Sequence, residues 1–215
     1  MEPVLFAGSL IVAYLLGSLP TGLAVVKAVR GVDIRRYGSG STGSTNVYRT
    51  RGRVPAATVV SLDVAKGAVA VAIAWLATDG NEYANATAGV AVIVGHSWPV
   101  FSGFRGGRGV MTGWGAMIAL SPIAAGITAI GWVVVTVTRY VSVGSLFGTT
   151  IGTIALAVLA TLGLAPLEYI IFSALGAGVI FIRHFDNISR LVSGTEDPVT
   201  EPGKPTRART RHGQG

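Results

Sequence analysis

Residues 54–77 read VPAATVVSLDVAKGAVAVAIAWLA, and this stretch decides the class of fold. It is long enough to cross the apolar core of a bilayer, which takes about 20 residues of helix. Its charged residues are Asp63 and Lys66, which lie three positions apart and therefore on one face of a helix. Charges inside a membrane span are costly and usually paired. The pair predicts either a functional interior or a structural ion pair between helices.

Six further apolar segments accompany this one, at residues 4–29, 84–101, 110–120, 122–138, 143–164 and 167–182. The chain is 50% hydrophobic and only 13% charged, whereas soluble proteins average about 25% charged residues. We therefore predict an all-α integral membrane protein with about seven transmembrane helices. Segments 110–120 and 122–138 are the least secure pair, because the first is short; a turn is expected at Ser121. Segment 4–29 lacks a basic n-region and is predicted to be a retained helix.

The distribution of charge predicts the topology. With the N-terminus outside, the inner loops, the C-terminal tail and Lys27 hold sixteen of the 17 Lys and Arg residues, and Lys66 is the other. The outer segments carry acidic residues and no basic ones. This asymmetry follows the positive-inside rule, and it places the C-terminus in the cytoplasm. We interpret the net charge of +7 as a topology signal, and we expect no nucleic-acid partner.

The chain is predicted to form one membrane domain, residues 1–197, followed by a disordered basic cytoplasmic tail, residues 198–215. The tail is either simply solvated or lies against anionic lipid. The chain has three His and no Cys, so disulfides and thiolate metal sites are excluded and no zinc motif is present. We therefore predict no metal and no cofactor, and the sequence leaves the oligomeric state open, a monomer included.

Polar segments gather on the predicted inner side. Residues 37–53, YGSGSTGSTNVYRTRGR, offer backbone N–H groups that can turn toward an anion, and Arg49 adds a planar fork suited to phosphate oxygens. Residues 95–109, GHSWPVFSGFRGGRG, place Arg105 and Arg108 on either side of two glycines. The alternatives are a flexible basic linker for the first segment and an interfacial aromatic belt for the second, with His96 a hydrogen-bonded structural residue.

A third polar segment, residues 183–198, reads RHFDNISRLVSGTEDP. On a helix, His184 and Asn187 share a face at i and i+3. The alternative is a juxtamembrane helix with a polar side. Ser142 and Ser145, where the sixth span begins, would bring hydroxyls to the same side of the membrane. Together these segments predict an anion-binding surface at one membrane face.

In this order, the segments resemble the bacterial acyl-phosphate:glycerol-3-phosphate acyltransferases, the PlsY family. The motifs that carry the resemblance are GSLPTG (17–22), DIRRYGSGSTGSTNVYRTRG (33–52), DVAKG (63–67), GHSWPVFSGFRGGRGVMT (95–112) and HFDNISRLVSGTE (184–196). The resemblance implies a seven-span enzyme of the bacterial inner membrane. Its expected reaction moves a fatty acyl group from acyl phosphate to the sn-1 hydroxyl of glycerol 3-phosphate, the first acylation of phospholipid synthesis. Acyl-CoA and acyl-carrier donors are not expected.

The resemblance also implies roles for individual residues. Two positions depart from the family pattern: Ser41 replaces an Asn of the first motif, and Arg108 replaces a Lys of the second. The expected catalytic residues are Ser39, Arg49, His184 and Asn187. The expected substrate-binding residues are Gly40, Ser41, Thr42, Asn46, His96, Arg105, Gly106, Gly107, Arg108, and Ser142 or Ser145, and the expected structural residues are Asp63, Lys66 and Glu196.

The sequence leaves alternatives open for both the mechanism and the class of protein. Acyl phosphate is already activated, so no covalent intermediate is needed, and the departing phosphate is favoured over His184 as the proton acceptor because no His–carboxylate pair is evident. A transporter of organic phosphates would also explain basic loops and charges within a span, although its site is expected near the midplane in repeated halves. An intramembrane serine protease would need a Ser–His pair that the spacing does not single out.

Overall fold

A computed structural model describes residues 2–199, and every regular element in that range is helical. The predicted tail, 198–215, lies outside the described residues apart from its first two positions. One-turn 3-10 helices at Ile34–Arg36 and Val100–Ser102 precede α3 and α6. The α-helices are α1 (Pro3–Gly17), α2 (Thr21–Arg30), α3 (Ser44–Arg51), α4 (Arg53–Ala77), α5 (Glu82–Ser97), α6 (Val110–Leu120), α7 (Pro122–Thr128), α8 (Ile130–Thr138), α9 (Val141–Thr161), α10 (Tyr169–Arg183) and α11 (Phe185–Val192).

Among the described residues, three segments are long and apolar enough to cross a membrane: Pro3–Arg30, Arg53–Ala77 and Val141–Thr161. Helices α10 and α11 meet at a bend of 58° and add a fourth if they count as one broken span. The chain is thus a multi-pass membrane protein. Each predicted apolar segment coincides with a helix or a pair of helices, while the number of seven crossings stays a prediction.

The first apolar segment differs from the expected continuous helix, because α1 ends at Gly17 and α2 begins at Thr21. Pro20 explains the break, since a proline disfavours helical backbone in the residue before it and has no N–H to donate. The Leu19 carbonyl is left facing α4 and accepts a hydrogen bond from the Lys66 ammonium at 3.3 Å. The segment 122–138 is likewise broken, at Ala129 between α7 and α8.

The Asp63–Lys66 pair of α4 holds this break in place. Lys66 Nζ lies 2.8 Å from Asp63 Oδ1, and the Thr21 hydroxyl donates to the same oxygen at 2.6 Å. Both charged side chains are buried. A buried ion pair needs further hydrogen bonds to offset its loss of water, and the broken helix supplies them.

Helix α4 packs closely against α6, and two glycines permit the approach. A Cβ on Gly67 would lie 2.1 Å from the Thr112 carbonyl oxygen, and one on Gly115 would lie 2.0 Å from the Val64 carbonyl oxygen. Side chains at either position would force the two backbones apart. This contact brings the start of α6, and the loop before it, beside Asp63.

Candidate active site

Three polar segments converge at one end of the helical bundle, which we call the loop end: residues 31–43, residues 98–109 and residues 184–199. A cavity of about 430 Å³ has its polar lining there and extends between the helices. Its lining includes nine of the residues singled out in the sequence: Ser39, Ser41, Asn46, Arg49, Asp63, His96, Arg108, Ser145 and His184.

Asn46 fixes the conformation of the first loop. Its side-chain amide donates to the carbonyl oxygens of Tyr37 at 3.1 Å and Ser41 at 2.8 Å. Its Oδ1 accepts the N–H of Ser39 at 3.1 Å. With its amide so engaged, Asn46 orders the loop, and Ser39 and Ser41 are held against the cavity.

Two glycines allow the backbone of this loop to adopt its conformation. Gly38 and Gly40 have φ values of +57° and +71°, a region that L-residues rarely adopt. Thr42 is buried, and a Cβ on Gly22 of α2 would lie 1.8 Å from its carbonyl oxygen. Gly40 and Thr42 are not part of the cavity lining. They belong to the loop but do not form part of the cavity surface.

Arg49 reaches the cavity from α3. Its Nη2 donates to the Asp197 carbonyl at 2.8 Å and to the Pro198 carbonyl at 3.4 Å. Its Nε is buried and has no hydrogen-bond partner among the described residues. Burial lowers the pKa of Arg49 from its ordinary value, although the nearby Asp197 opposes the shift. The guanidinium stays charged at neutral pH and faces carbonyl oxygens rather than a carboxylate.

Arg108 is the second cation of the cavity. Within residues 2–199, no protein group accepts a hydrogen bond from its guanidinium at good geometry. Burial lowers its pKa to about 10, with Arg190, Arg49 and Arg183 adding to the effect and Glu196 opposing it. A desolvated cation among other cations favours an anionic ligand.

The loop that carries Arg108 is tied down on both sides. The Gly107 N–H donates to the His96 carbonyl at 3.2 Å, and Arg183 Nε donates to the Gly107 carbonyl at 3.1 Å. Gly106 and Gly107 are buried and Arg105 is exposed, and none of these three expected binding residues lines the cavity. Of the two arginines predicted here, the structure brings Arg108 to the cavity and leaves Arg105 outside it.

His96 forms a pair with a carboxylate that the sequence reasoning missed. Its Nδ1 lies 3.5 Å from Asp63 Oδ1 and 3.1 Å from the Thr112 hydroxyl. The two partners of the pair stand on α4 and α5, far apart in the chain, so no local spacing reveals them. A His–carboxylate pair that was not evident in the sequence is therefore present at His96.

His184 stands between α10 and α11, beyond the last apolar segment, and is 1% exposed. Its Nδ1–H donates to the Ile180 carbonyl at 2.8 Å, which leaves Nε2 as the nitrogen able to accept a proton. Burial, reinforced by the charge of Arg108, lowers the pKa of His184 to about 4. The ring is therefore neutral at physiological pH and is a weak base.

Glu196 joins α9 and α11. Its carboxylate accepts hydrogen bonds from Ser142 Oγ at 2.9 Å, Asn187 Nδ2 at 2.5 Å and Arg190 Nε at 2.6 Å. Burial alone would raise its pKa, but these three hydrogen bonds outweigh burial and lower the pKa. Ser142 and Asn187 are thus occupied with Glu196 and do not line the cavity, whereas Ser145 does.

Away from the loop end the cavity becomes an apolar groove. Aromatic and aliphatic side chains line it from α6, α8 and α10, together with small residues of α9. In the part of the chain that the structure describes, no group of three or more His, Asp or Glu could hold a metal ion. The apolar lining includes Trp114, Met117, Trp132, Val135, Phe172 and Ile180.

Comparison with known proteins matches residues 7–194 to a family model described as glycerol-3-phosphate acyltransferase. A glycerol-3-phosphate acyltransferase of Halalkalibacterium halodurans is 44% identical over 189 residues, covering 86% of this chain and 91% of the relative. One of Gloeobacter violaceus is 44% identical over 197 residues, covering 88% and 93%.

Two solved structures share the fold. Both are of PlsY, described as an integral membrane glycerol 3-phosphate acyltransferase. The glycerol 3-phosphate form has a TM-score of 0.81 and 33% identity, and covers 91% of this chain and 96% of that chain. The lysophosphatidic acid form has a TM-score of 0.80 and 33% identity, with coverage of 90% and 94%.

Proposed function

The chain belongs to the glycerol-3-phosphate acyltransferase family, and from this premise we propose that its acyl donor is acyl phosphate. The acyl group passes to the sn-1 hydroxyl of glycerol 3-phosphate and gives 1-acylglycerol 3-phosphate and inorganic phosphate. The glycerol 3-phosphate and lysophosphatidic acid forms of PlsY support this choice of acceptor and product. The reaction is the first acylation of phospholipid synthesis.

The observation that carries the proposal is the pairing of two guanidiniums with an apolar groove. Arg49 and Arg108 lie in one cavity with the hydroxyls of Ser39 and Ser41, and its remainder is lined by apolar side chains. Acyl phosphate and glycerol 3-phosphate bring two phosphates and one fatty chain. The cavity offers a cation for each phosphate and an apolar lining for the chain.

The reaction requires these residues to neutralise charge on the phosphates and to orient the two substrates. The sn-1 oxygen attacks the acyl carbonyl carbon, the bond from that carbon to the phosphate oxygen breaks, and the phosphate leaves with the bonding electron pair. Arginines and backbone N–H groups stabilise the charge that grows on the leaving phosphate. Holding hydroxyl and carbonyl in contact supplies on the order of 7–11 kcal/mol at best.

The proton of the attacking hydroxyl goes to the departing phosphate. The low pKa of His184 supports this assignment, because a ring with a pKa of about 4 accepts a proton weakly at neutral pH. His184 then orients glycerol 3-phosphate through Nε2. Asn187 supports the site indirectly, because its side-chain amide donates a hydrogen bond to the Glu196 carboxylate.

The proposed setting is the bacterial inner membrane, with seven spans, the N-terminus outside and the loop end at the cytoplasmic face. The concentration of Lys and Arg in the segments assigned to the inner side supports this orientation. An organic-phosphate transporter is less well supported, because the polar residues gather at one end of the bundle and family membership points to acyl transfer.

The test uses purified full-length protein in detergent or lipid with palmitoyl phosphate and glycerol 3-phosphate. Release of phosphate and formation of lysophosphatidic acid are followed together, and palmitoyl-CoA is run in parallel. Equal amounts of both products from palmitoyl phosphate alone support the proposal. Product from palmitoyl-CoA, or phosphate release without lysophosphatidic acid, would reject the assigned donor.

A further inference from the structure

The loop that carries Arg108 rests on the imidazole of His96. A Cβ on Gly107 would lie 2.2 Å from His96 Nε2, and the three atoms that such a Cβ meets first all belong to this ring. The Gly107 N–H also donates to the His96 carbonyl at 3.2 Å. The ring therefore fills the space directly beneath the residue that precedes Arg108.

Two side chains hold the ring in that position. The Thr112 hydroxyl lies 3.1 Å from Nδ1, and Asp63 Oδ1 lies 3.5 Å from the same atom. Asp63 is itself fixed by the Thr21 hydroxyl at 2.6 Å and the Lys66 ammonium at 2.8 Å. Thr112 is 0% exposed and is absent from the cavity lining, and its hydroxyl contacts the lining residue His96.

We propose that Thr112 and Asp63 are positioning residues, which hold the ring of His96 beneath Gly107 and so set where Arg108 meets a substrate phosphate. The proposal rests on the proposed function for the identity of that phosphate. Accurate placement matters here, because a displacement of about 1 Å in a catalytic site can cost on the order of 10²-fold in rate. The buried network thus connects the break between α1 and α2 to the position of Arg108.

The first experiment is a double-mutant cycle read by thermal unfolding in one detergent, which requires no activity. Gly107→Ala overpacks the contact with the ring, and we expect the melting temperature to fall by roughly 2–10 °C. In a His96→Asn background the same substitution meets a smaller side chain, so it should cost little. Non-additivity of this kind is the sign of direct contact.

Gly106→Ala is the matched control for that cycle. A Cβ on Gly106 would lie 2.1 Å from the His96 carbonyl oxygen and 2.6 Å from Pro99 Cδ. His96→Asn changes neither atom, so its background should give no relief. Equal penalties for Gly107→Ala in both backgrounds, or equal relief for Gly106→Ala, would overturn the proposed placement of the ring.

The second experiment measures steady-state kinetics with palmitoyl phosphate and glycerol 3-phosphate. Thr112→Val removes the hydroxyl at nearly constant volume, and we expect kcat/KM to fall roughly 2- to 10-fold. Because Arg108 is proposed to stabilise the leaving phosphate, most of this loss should appear in kcat. Thr112→Ser, which keeps the hydroxyl, should restore most of the loss.

Thr150→Val is the matched control, because Thr150 is exposed on α9 and outside the cavity; its kinetics should equal those of the parent. A rise in KM with kcat unchanged, or a Thr112→Ser variant no better than Thr112→Val, would reject the positioning role. If the parent protein transfers no acyl group, the proposed function fails, while the thermal cycle still decides whether His96 supports Gly107.

Discussion

Arg108 places a planar guanidinium where the family pattern usually has lysine. Both side chains carry one positive charge, but arginine binds phosphate through a fork and lysine through a point charge. We expect Arg108→Lys to keep kcat within about tenfold of the parent, since the charge is retained. Arg108→Met should lower kcat by roughly 10²- to 10³-fold, as expected for the loss of one donor to a developing anion.

Arg36→Gln is a suitable control for these variants, because Arg36 is an exposed arginine outside the cavity and its loss removes the same charge from the chain. The measurement is acyl transfer from palmitoyl phosphate under saturating conditions. An Arg108→Met variant as active as Arg36→Gln would show that Arg108 does not stabilise the leaving group.

Ser142 and Ser145 separate into two roles. Ser142 donates to the buried carboxylate of Glu196 at 2.9 Å, whereas Ser145 lines the cavity. Ser142→Ala should lower the free energy of unfolding by about 1–3 kcal/mol, since part of a buried acceptor's hydrogen bonding is lost. Ser145→Ala should leave the melting temperature unchanged and raise the KM for palmitoyl phosphate or for glycerol 3-phosphate. Thermal unfolding and kinetics of both variants test this, and the reverse pattern would contradict it.

His184 should make stability depend on pH. Its folded pKa of about 4 lies below the ordinary value of about 6.5, so the unfolded chain binds more protons between these pH values. Stability should therefore be full above pH 6.5 and fall as the pH drops toward 4. Between pH 7 and pH 5 the loss from this group is about 2 kcal/mol.

The measurement for His184 is the melting temperature of the parent and of His184→Gln from pH 7 to pH 5. The parent should lose more, because the glutamine does not titrate and keeps a polar side chain at the site. Parallel curves for the two proteins would show that His184 is not held neutral by its surroundings.

At the residue scale, the motifs contain side chains that meet in the cavity, such as Arg49 and Arg108, and others that do not, such as Arg105. Ser142 and Ser145 are equivalent in the sequence, and only the packing of α9 against the segment near Glu196 separates them. The contact of His96 with Asp63 depends on how α4 and α5 pack, which no local spacing encodes. Arg49 donates hydrogen bonds to backbone carbonyls. Because every residue has such a carbonyl, the amino-acid sequence does not reveal this contact.

At the scale of elements, the hydrophobic pattern found the helical segments and missed their interruptions. Proline at position 20 breaks the first segment, yet its hydropathy continues through the break, so a hydropathy window reads a single span. The charges of α4 are informative, because Asp63 and Lys66 need partners, and the Thr21 hydroxyl and the Leu19 carbonyl beside the break provide them. A buried charge pair facing a proline in another span thus predicts such a break.

The chain after Glu196 covers Arg49, and we expect it to compete with substrate. The carbonyl oxygens of Asp197 and Pro198 occupy its guanidinium, and the Val199 N–H donates to the Arg139 carbonyl at 2.7 Å. Val199→Pro removes this N–H, loosens the segment and should lower the KM of one phosphate substrate roughly 2- to 10-fold.

Val199→Ala is the matched control, because it removes most of the side chain that lines the cavity but keeps the N–H. The two variants are compared with the parent in kcat and in KM for both substrates. An unchanged KM in Val199→Pro, or the same fall in Val199→Ala, would show that the hydrogen bond to Arg139 does not restrain the segment.

At the scale of the whole molecule, one end of the bundle is polar and the rest of the cavity is apolar. Separate parts of the chain supply Arg49, Arg108 and His184, so the cavity exists only once α3, α6 and α10 are packed together. The positions of Lys and Arg in the sequence predicted that these parts lie at the same membrane face. The depth and lining of the groove could not be predicted, because they depend on close backbone approaches between helices.

The orientation of the chain can be measured directly, because the sequence contains no cysteine and single-cysteine variants have no background. Arg36 lies in a segment assigned to the inside and Glu82 in one assigned to the outside, and both side chains are exposed. In intact bacterial cells, a membrane-impermeant maleimide should label Glu82→Cys and leave Arg36→Cys unlabelled until the membrane is opened. Acyl-transfer activity of each variant serves as the control for folding. Labelling of Arg36→Cys in intact cells would place the loop end, and the phosphate-binding residues with it, on the outer face, against the orientation that the positive-inside rule predicts.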